Sequence, residues 1–272
     1  MNAPRLLGVL LPMLVLGAGT ALINVGGSDE RVGTLPSKAV IGDGEDLLYE
    51  VSWTFFRLGT IRILTAGDYS AVAYVDSYES LPFVDLHAVY FTWMDSTFYS
   101  RACRSLEKEG DEWQGLEYVY DFPARRLTVQ ETARKDLHTP PHRCTPLDTL
   151  QLEDTSFVDG VSIAYFPRKL IHTRTPVEVP TILYGKFGKT RFDFLDKRTT
   201  TSIDALDRPV RVVEISGSTT VEGIFGMTGD FRGWFSDDSA AVPIKGRLKV
   251  LLGEVEVELV KWNRNGWKPP TE

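Results

Sequence analysis

Cysteine and histidine are scarce in this sequence, and positive charge is outnumbered by negative. Its 272 residues hold two cysteines and four histidines, and 30 basic against 37 acidic side chains leave a formal charge of −7. A chain of that sign repels phosphate backbones at long range, which argues against nucleic acid and weakly against anionic membrane surfaces. There is no Gly-x-Ser-x-Gly elbow, no phosphate-cradling loop and no His-Glu-x-x-His helix, so these common sequence marks of catalysis are missing. No repeat period or low-complexity run occurs, and no shift of composition marks a second domain.

The few thiols and imidazoles lie mostly apart. His138, His142 and Cys144 fall within seven residues, but Pro140 and Pro141 hold that segment extended and prevent two histidines from sharing a helical face. The segment reads as a structural loop, and neither metal nor cofactor is expected. His87 and His172 stand alone and read as ordinary polar residues. In an oxidising compartment Cys103 and Cys144 are expected to form one disulfide, worth about 4 kcal/mol in the chain-entropy model.

What is present points to export. Arg5 precedes an apolar run over residues 6–16 and then small residues, the pattern of a secretory signal over residues 1–21, and the run is too short to span a bilayer comfortably. If kept, it would anchor the chain in a membrane, the one membrane contact expected. No cysteine is near enough for N-terminal lipidation. Residues 22–43, rich in Gly, Ser and Pro, read as a flexible tether, residues 44–263 as one β-rich domain, and residues 264–272 as a C-terminal tail. The expected location is the periplasm or cell envelope.

Within the domain, 43% hydrophobic and 11% aromatic residues supply a sizeable core. Residues 246–260 alternate polar and apolar about Gly253-Glu254, which predicts a hairpin with Glu256 and Glu258 toward water and Val255, Val257 and Leu259 toward the core. Residues 45–66 and 113–132 give two more hairpins, with further strands at 69–78, 177–184, 189–195, 199–203 and 208–215. Residues 86–102 are apolar on both parities, as in a strand covered on both faces or lining a cavity. Residues 133–150 read as irregular. One short helix is predicted from Ser156 and Asp159, spaced as a capping box, to Pro167. In the 217–229 loop, four glycines surround Val221, Ile224, Phe225 and Met227, which fits a glycine-bent strand pair or a flap over an apolar cavity.

Three stretches together resemble the bacterial domain-of-unknown-function 3108 family. They are Gly44-Glu45-x-Leu47-x-Tyr49-x-Val51-x-Trp53 with Gly59, the run from Asp159 through Ser162 and Tyr165 to Arg168, and Trp234-Phe235-Ser236-Asp237-Asp238 with Pro243-Ile244-Lys245. The chain departs from the family pattern at Ala240-Ala241, where similar proteins often carry a base. The resemblance implies an exported, mostly β envelope protein without an assigned activity. In strand and helix order it is loosely similar to the lipoprotein-carrier fold, so the expected architecture is a single curved antiparallel sheet or partly open barrel packed around one short helix.

Three functions follow as alternatives. The first is a non-enzymatic binding module for an apolar or lipid-like ligand, with Trp53, Phe91, Trp93, Tyr165 and Phe225 on the concave face; the plain alternative is that these aromatics fill a core. The second is an envelope assembly or scaffold protein acting through protein partners at sheet edges or the acidic turn. The third is a carboxylate-dependent hydrolase at Asp237 and Asp238, disfavoured because neighbours on a strand point to opposite faces. The motif residues Glu45, Tyr49, Asp159, Ser162, Arg168, Trp234, Asp237, Asp238 and Lys245 are further candidates. Of these, Asp159 is expected to cap the helix and Arg168 to favour its last turn through the dipole.

Overall fold

A computed structural model describes residues 33–82, 84–153, 156–183, 185–221, 229–250 and 253–272. The expected signal segment, Phe225 and residues 222–228 of the glycine-rich loop lie outside them. A five-residue helix, α1 (Ser37–Ile41), precedes the strands β1 (Gly44–Trp53), β2 (Phe56–Ala66), β3 (Ser70–Ser77), β4 (His87–Met94), β5 (Ser100–Glu109), β6 (Glu112–Asp121), β7 (Arg126–Arg134) and β8 (Arg143–Gln151). Then come β9 (Val177–Leu183), β10 (Lys186–Thr201), β11 (Val210–Thr219), β12 (Gly229–Ser236), β13 (Pro243–Val250) and β14 (Gly253–Asn263).

These strands form one antiparallel sheet in the order β8-β7-β6-β5-β4-β3-β2-β1-β14-β13-β12-β11-β10-β9. It is two up-and-down meanders stitched together where β1 pairs with β14, and it does not close, because β8 and β9 remain its edges. Strict alternation builds it: β1 buries Glu45, Leu47, Tyr49 and Val51 on one parity, and the next strands repeat the pattern. In such a meander successive turns alternate between the two ends of the sheet. The start of β1, the 237–242 turn and the start of β11 share one end; the β1–β2, β9–β10 and β13–β14 turns share the other.

Residues 156–173, between the two edge strands, pack against the inner face of the sheet. There the structure replaces the predicted helix by two 3-10 turns, Ser162–Ala164 and Phe166–Lys169. Pro167 opens the second turn rather than ending the first, a position where its missing N–H leaves no carbonyl unsatisfied. Phe157 and Val158 also bridge to Ser100 at the start of β5 and to Thr181 of β9, so this inner strap touches both halves of the sheet.

Several boundaries move. The end of the supposed tether is folded: α1 places Val40 and Ile41 fully inside the core. The supposed tail is anchored too, since Arg211 donates to Pro270 O and Thr271 bridges to Val210. The two strands expected at 189–195 and 199–203 are one strand, β10, kinked by a bulge between Phe194 and Lys197. The segment read as irregular contains β8, an edge strand exposed almost throughout.

The expected disulfide is absent. Cys103 is buried on β5 and Cys144 exposed on β8, both as free thiols. Three strand spacings separate β5 from β8, about 14 Å, where a bridge needs Cα atoms within roughly 7 Å.

Candidate functional site

Strand register sets Glu45, Thr65, Ala71, Thr92, Cys103 and Tyr118 side by side across β1 to β6. None of the six is more than 8% exposed, so this is a mostly polar row on the inner face. Buried polar groups need partners, and the strap supplies three of them. Asp159 Oδ2 accepts a 2.5 Å hydrogen bond from Thr92, the Tyr165 hydroxyl bonds the Thr65 hydroxyl, and Arg168 engages Glu45. Asp159 also caps the first 3-10 turn: Oδ1 accepts from the Val161 and Ser162 amides at 2.8 and 3.0 Å, while Ser162 Oγ accepts from the Asp159 amide at 2.7 Å. The capping partner is therefore Ser162, not Ser156.

At the α1 end the row finishes in a buried triad. Arg168, fully buried, donates to both Glu45 oxygens at 2.5 and 3.0 Å, and its remaining donors reach Val40 O at 3.1 Å and Ala240 O at 2.9 and 3.2 Å. Arg264 donates to Glu45 Oε2 at 2.6 Å and to the carbonyls of Val40 and Ala39 at 2.9 and 2.7 Å. Burial alone would raise the Glu45 carboxyl; the two guanidiniums outweigh it and hold the carboxyl below its usual value. Arg168 thus acts through a buried ion pair rather than a helix dipole. The Arg168 guanidinium also lies 4.9 Å from the centre of the Tyr165 ring, and Tyr49 donates to Pro243 O at 3.0 Å. At the position where a base is expected, the Ala240 carbonyl serves as the acceptor for Arg168.

The two neighbouring aspartates diverge. Asp238 Oδ1 accepts from Ser236 Oγ, Ala240 N and Ala241 N at 2.9 to 3.1 Å, and Oδ2 accepts from Trp267 Nε1 at 2.8 Å. It is a turn-forming residue with its lone pairs engaged. Asp237 lies 4.0 Å from His172 and 3.9 Å from Arg198, in a partly exposed charged cluster with Asp196. The pair is not arranged as a facing acid and base. Lys245 and Trp234, partners in register, lie on the outer face, where Lys245 pairs with Glu258 at 2.5 Å and Glu256 at 3.3 Å, and Arg247 lies over the Trp234 ring.

Above the strap, toward the end carrying the β1–β2 and β13–β14 turns, the sheet lines a partly open cavity of ≈ 390 Å³. Ile61 and Ile63 from one meander face Phe192, Ile215, Phe231 and Leu248 from the other, and Gly160, Ile163 and Ala164 of the strap form its floor. The room is made partly by glycine. Gly233 and Gly246 are paired in register on the inner face, and a Cβ built on Gly246 would meet nothing nearer than Arg232 O at 3.9 Å. Cys103, Tyr118 and Asp159 bring the end of the polar row to the same wall.

The aromatic residues expected on that wall are scattered. Phe91 borders the cavity, but alternation turns its ring outward with that of Trp93, where Arg104 lies 5.2 and 5.9 Å from the two ring centres. Trp93 is 43% exposed, which removes it from any inner wall. Trp53 stands at the rim, its Nε1 3.6 Å from where a Gly253 Cβ would be. Tyr165 is buried in the Thr65 and Arg168 contacts. Sequence reasoning missed Arg264, Tyr118 and the paired glycines. The inward parity of Gly233 and Gly246 between apolar neighbours was the available signal for the last.

The chain is therefore an open, barrel-like antiparallel sheet closed around an inner strap. It belongs to the family described as Protein of unknown function (DUF3108), whose model matches residues 48–260. Among solved structures it is similar to a beta-barrel-like protein of domain of unknown function DUF1849 from Brucella abortus, at 12% identity, with 82% of this chain and 98% of that one covered and a TM-score of 0.53. That likeness extends to the fold alone. No curated protein matches the sequence.

Proposed function

We propose that the chain is an exported module that holds an apolar, lipid-like ligand inside its curved sheet. The observation that supports this reading is the ≈ 390 Å³ cavity, a size within the roughly 300–1,000 Å³ typical of small-molecule sites. Its walls are apolar side chains, while the polar strap contacts are internally satisfied, so burying an acyl-like chain there would exchange water for hydrocarbon without stranding a charge. The apolar run over residues 6–16 supports export.

Gly246→Leu tests it. The new Cβ meets nothing nearer than Arg232 O at 3.9 Å, the position lines the cavity, and its backbone is not in the left-handed region that favours glycine. Wild type is expected to enhance N-phenylnaphthylamine fluorescence saturably, and the variant to bind at least about tenfold more weakly with melting within about 3 °C of wild type. No saturable enhancement in wild type, or equal binding by the variant, would sink the reading.

A second reading, envelope assembly through a protein partner, is favoured by β8. Among the described residues this edge strand has no strand neighbour along one row of its backbone groups, and its Leu147 is 53% exposed. Crosslinking in intact cells that recovers no partner would count against it.

A further inference from the structure

The cavity is apolar except along one wall, and there the hydrogen-bonding groups are unevenly spent. Asp159 is fully engaged: Oδ1 accepts from two backbone amides and Oδ2 from Thr92. Tyr118, which lines the same cavity, is 3% exposed, and its buried hydroxyl finds no acceptor for its hydrogen among the described residues. The Gly185 amide lies against the same oxygen but is itself a donor, so the phenol hydrogen still lacks an acceptor. The Tyr120 hydroxyl, on the same face of β6, is also buried and stands beside the Cys103 thiol and the Ser100 hydroxyl. A buried donor left unmade costs free energy in an apolar setting, so its persistence on a cavity wall calls for a missing acceptor.

We propose that the cavity's ligand carries an uncharged hydrogen-bond acceptor, a carbonyl of the ester or amide kind, seated on the Tyr118 hydroxyl, with its apolar chain running between the two meanders. This rests on the apolar-ligand reading above. The charge of the head follows from its neighbours. The Asp159 carboxylate, 4% exposed and lining the same cavity, repels an anionic head, while an ammonium, a donor only, has nothing with which to accept the Tyr118 hydrogen. Burial holds the Tyr118 and Tyr120 phenols and the Cys103 thiol protonated, so the wall offers hydrogens rather than negative charge. A neutral acceptor alone uses the unspent donor and meets no like charge.

The test displaces N-phenylnaphthylamine from the full chain, freed of bound lipid, with four probes of equal chain length: dodecane, methyl dodecanoate, dodecanoate and dodecylammonium. Methyl dodecanoate is expected to bind about tenfold more tightly than the others. In Tyr118→Phe that advantage disappears, dodecane is unaffected, and melting falls by no more than about 3 °C, because only the contact from the Gly185 amide is lost. Tightest binding by the carboxylate or the ammonium overturns the proposal, as does an ester preference that survives Tyr118→Phe, or a fall in melting of more than about 3 °C in that variant. Those results leave an apolar site standing. If neither the fluorophore nor any of the four binds wild type, the apolar-ligand reading falls with it.

Discussion

The sharpest consequence of the structure concerns Glu45, one carboxylate shared by two buried guanidiniums. Glu45→Gln keeps the shape and most of the acceptor geometry but leaves Arg168 and Arg264 without a counter-charge. Removing one member of a buried ion network costs roughly 3–5 kcal/mol, because what remains is an uncompensated charge in a medium that solvates it poorly. Arg264→Met is different in kind. It leaves a neutral Glu45–Arg168 pair and forfeits hydrogen bonds to Ala39 O, Val40 O and Glu45, a loss of about 1–3 kcal/mol. The ordering, with Glu45→Gln clearly worse, is the signature of charge rather than packing.

Urea titration followed by tryptophan fluorescence measures both variants, and melting should fall by about 10 °C in Glu45→Gln. pH gives an independent check. The folded carboxyl lies below its ordinary value of about 4.3, so its contribution is complete above that value and is lost as pH falls through the lower folded value. The stability gap between wild type and Glu45→Gln should therefore be full near neutrality and shrink as acid takes the solution below the ordinary carboxyl range. Equal stability of Glu45→Gln and wild type at neutral pH, a larger loss in Arg264→Met, or a gap that does not change with acid would refute the reasoning.

Two further outcomes follow from the same contacts. Asp159→Ala removes the acceptor of two turn amides and of Thr92, all buried, and should cost about 2–4 kcal/mol in urea titration; a loss under about 0.5 kcal/mol would mean that the turn is capped by something else. In thiol titration of the unreduced protein, exposed Cys144 should react at once and Cys103, buried and pushed up in pKa by burial and the nearby Asp159 charge, only on unfolding; two unreactive thiols in urea would restore the disulfide.

What the sequence revealed and what it hid divide along a physical line. The β13–β14 hairpin was readable because each residue's face follows from its neighbours two positions away. The role of Arg168 was not, because its partner Glu45 lies 123 residues earlier and no local rule connects them. Helix α1 was invisible for another reason: five residues without a side-chain cap carry too little pattern, and it is held by the packing of Val40 and Ile41 and by hydrogen bonds from the distant Arg168 and Arg264 to its carbonyls. Strand β8 escaped because an exposed edge needs no apolar alternation. The disulfide failed because it was argued from compartment, whereas bonding depends on distance. At the cavity, large aromatic residues drew attention, while the space itself comes from small ones such as Gly246.

The two ends of the sheet then do different work. An open meander joined only through the β1–β14 pairing needs something to fix its curvature, and the strap does this by holding Thr92, Thr65 and Glu45 in one half while bridging Thr181 in the other. The strongest of these ties, the Glu45 triad, joins α1, β1, the strap, the 237–242 turn and the residue after β14 at one end. The cavity lies toward the other end, against the opposite side of the strap and next to inward glycines. The ion network and the cavity are thereby separated along the strand direction. That separation is why a charge lost at Glu45 should lower the melting temperature without reshaping the cavity, and why a leucine at Gly246 should fill the cavity without loosening the fold.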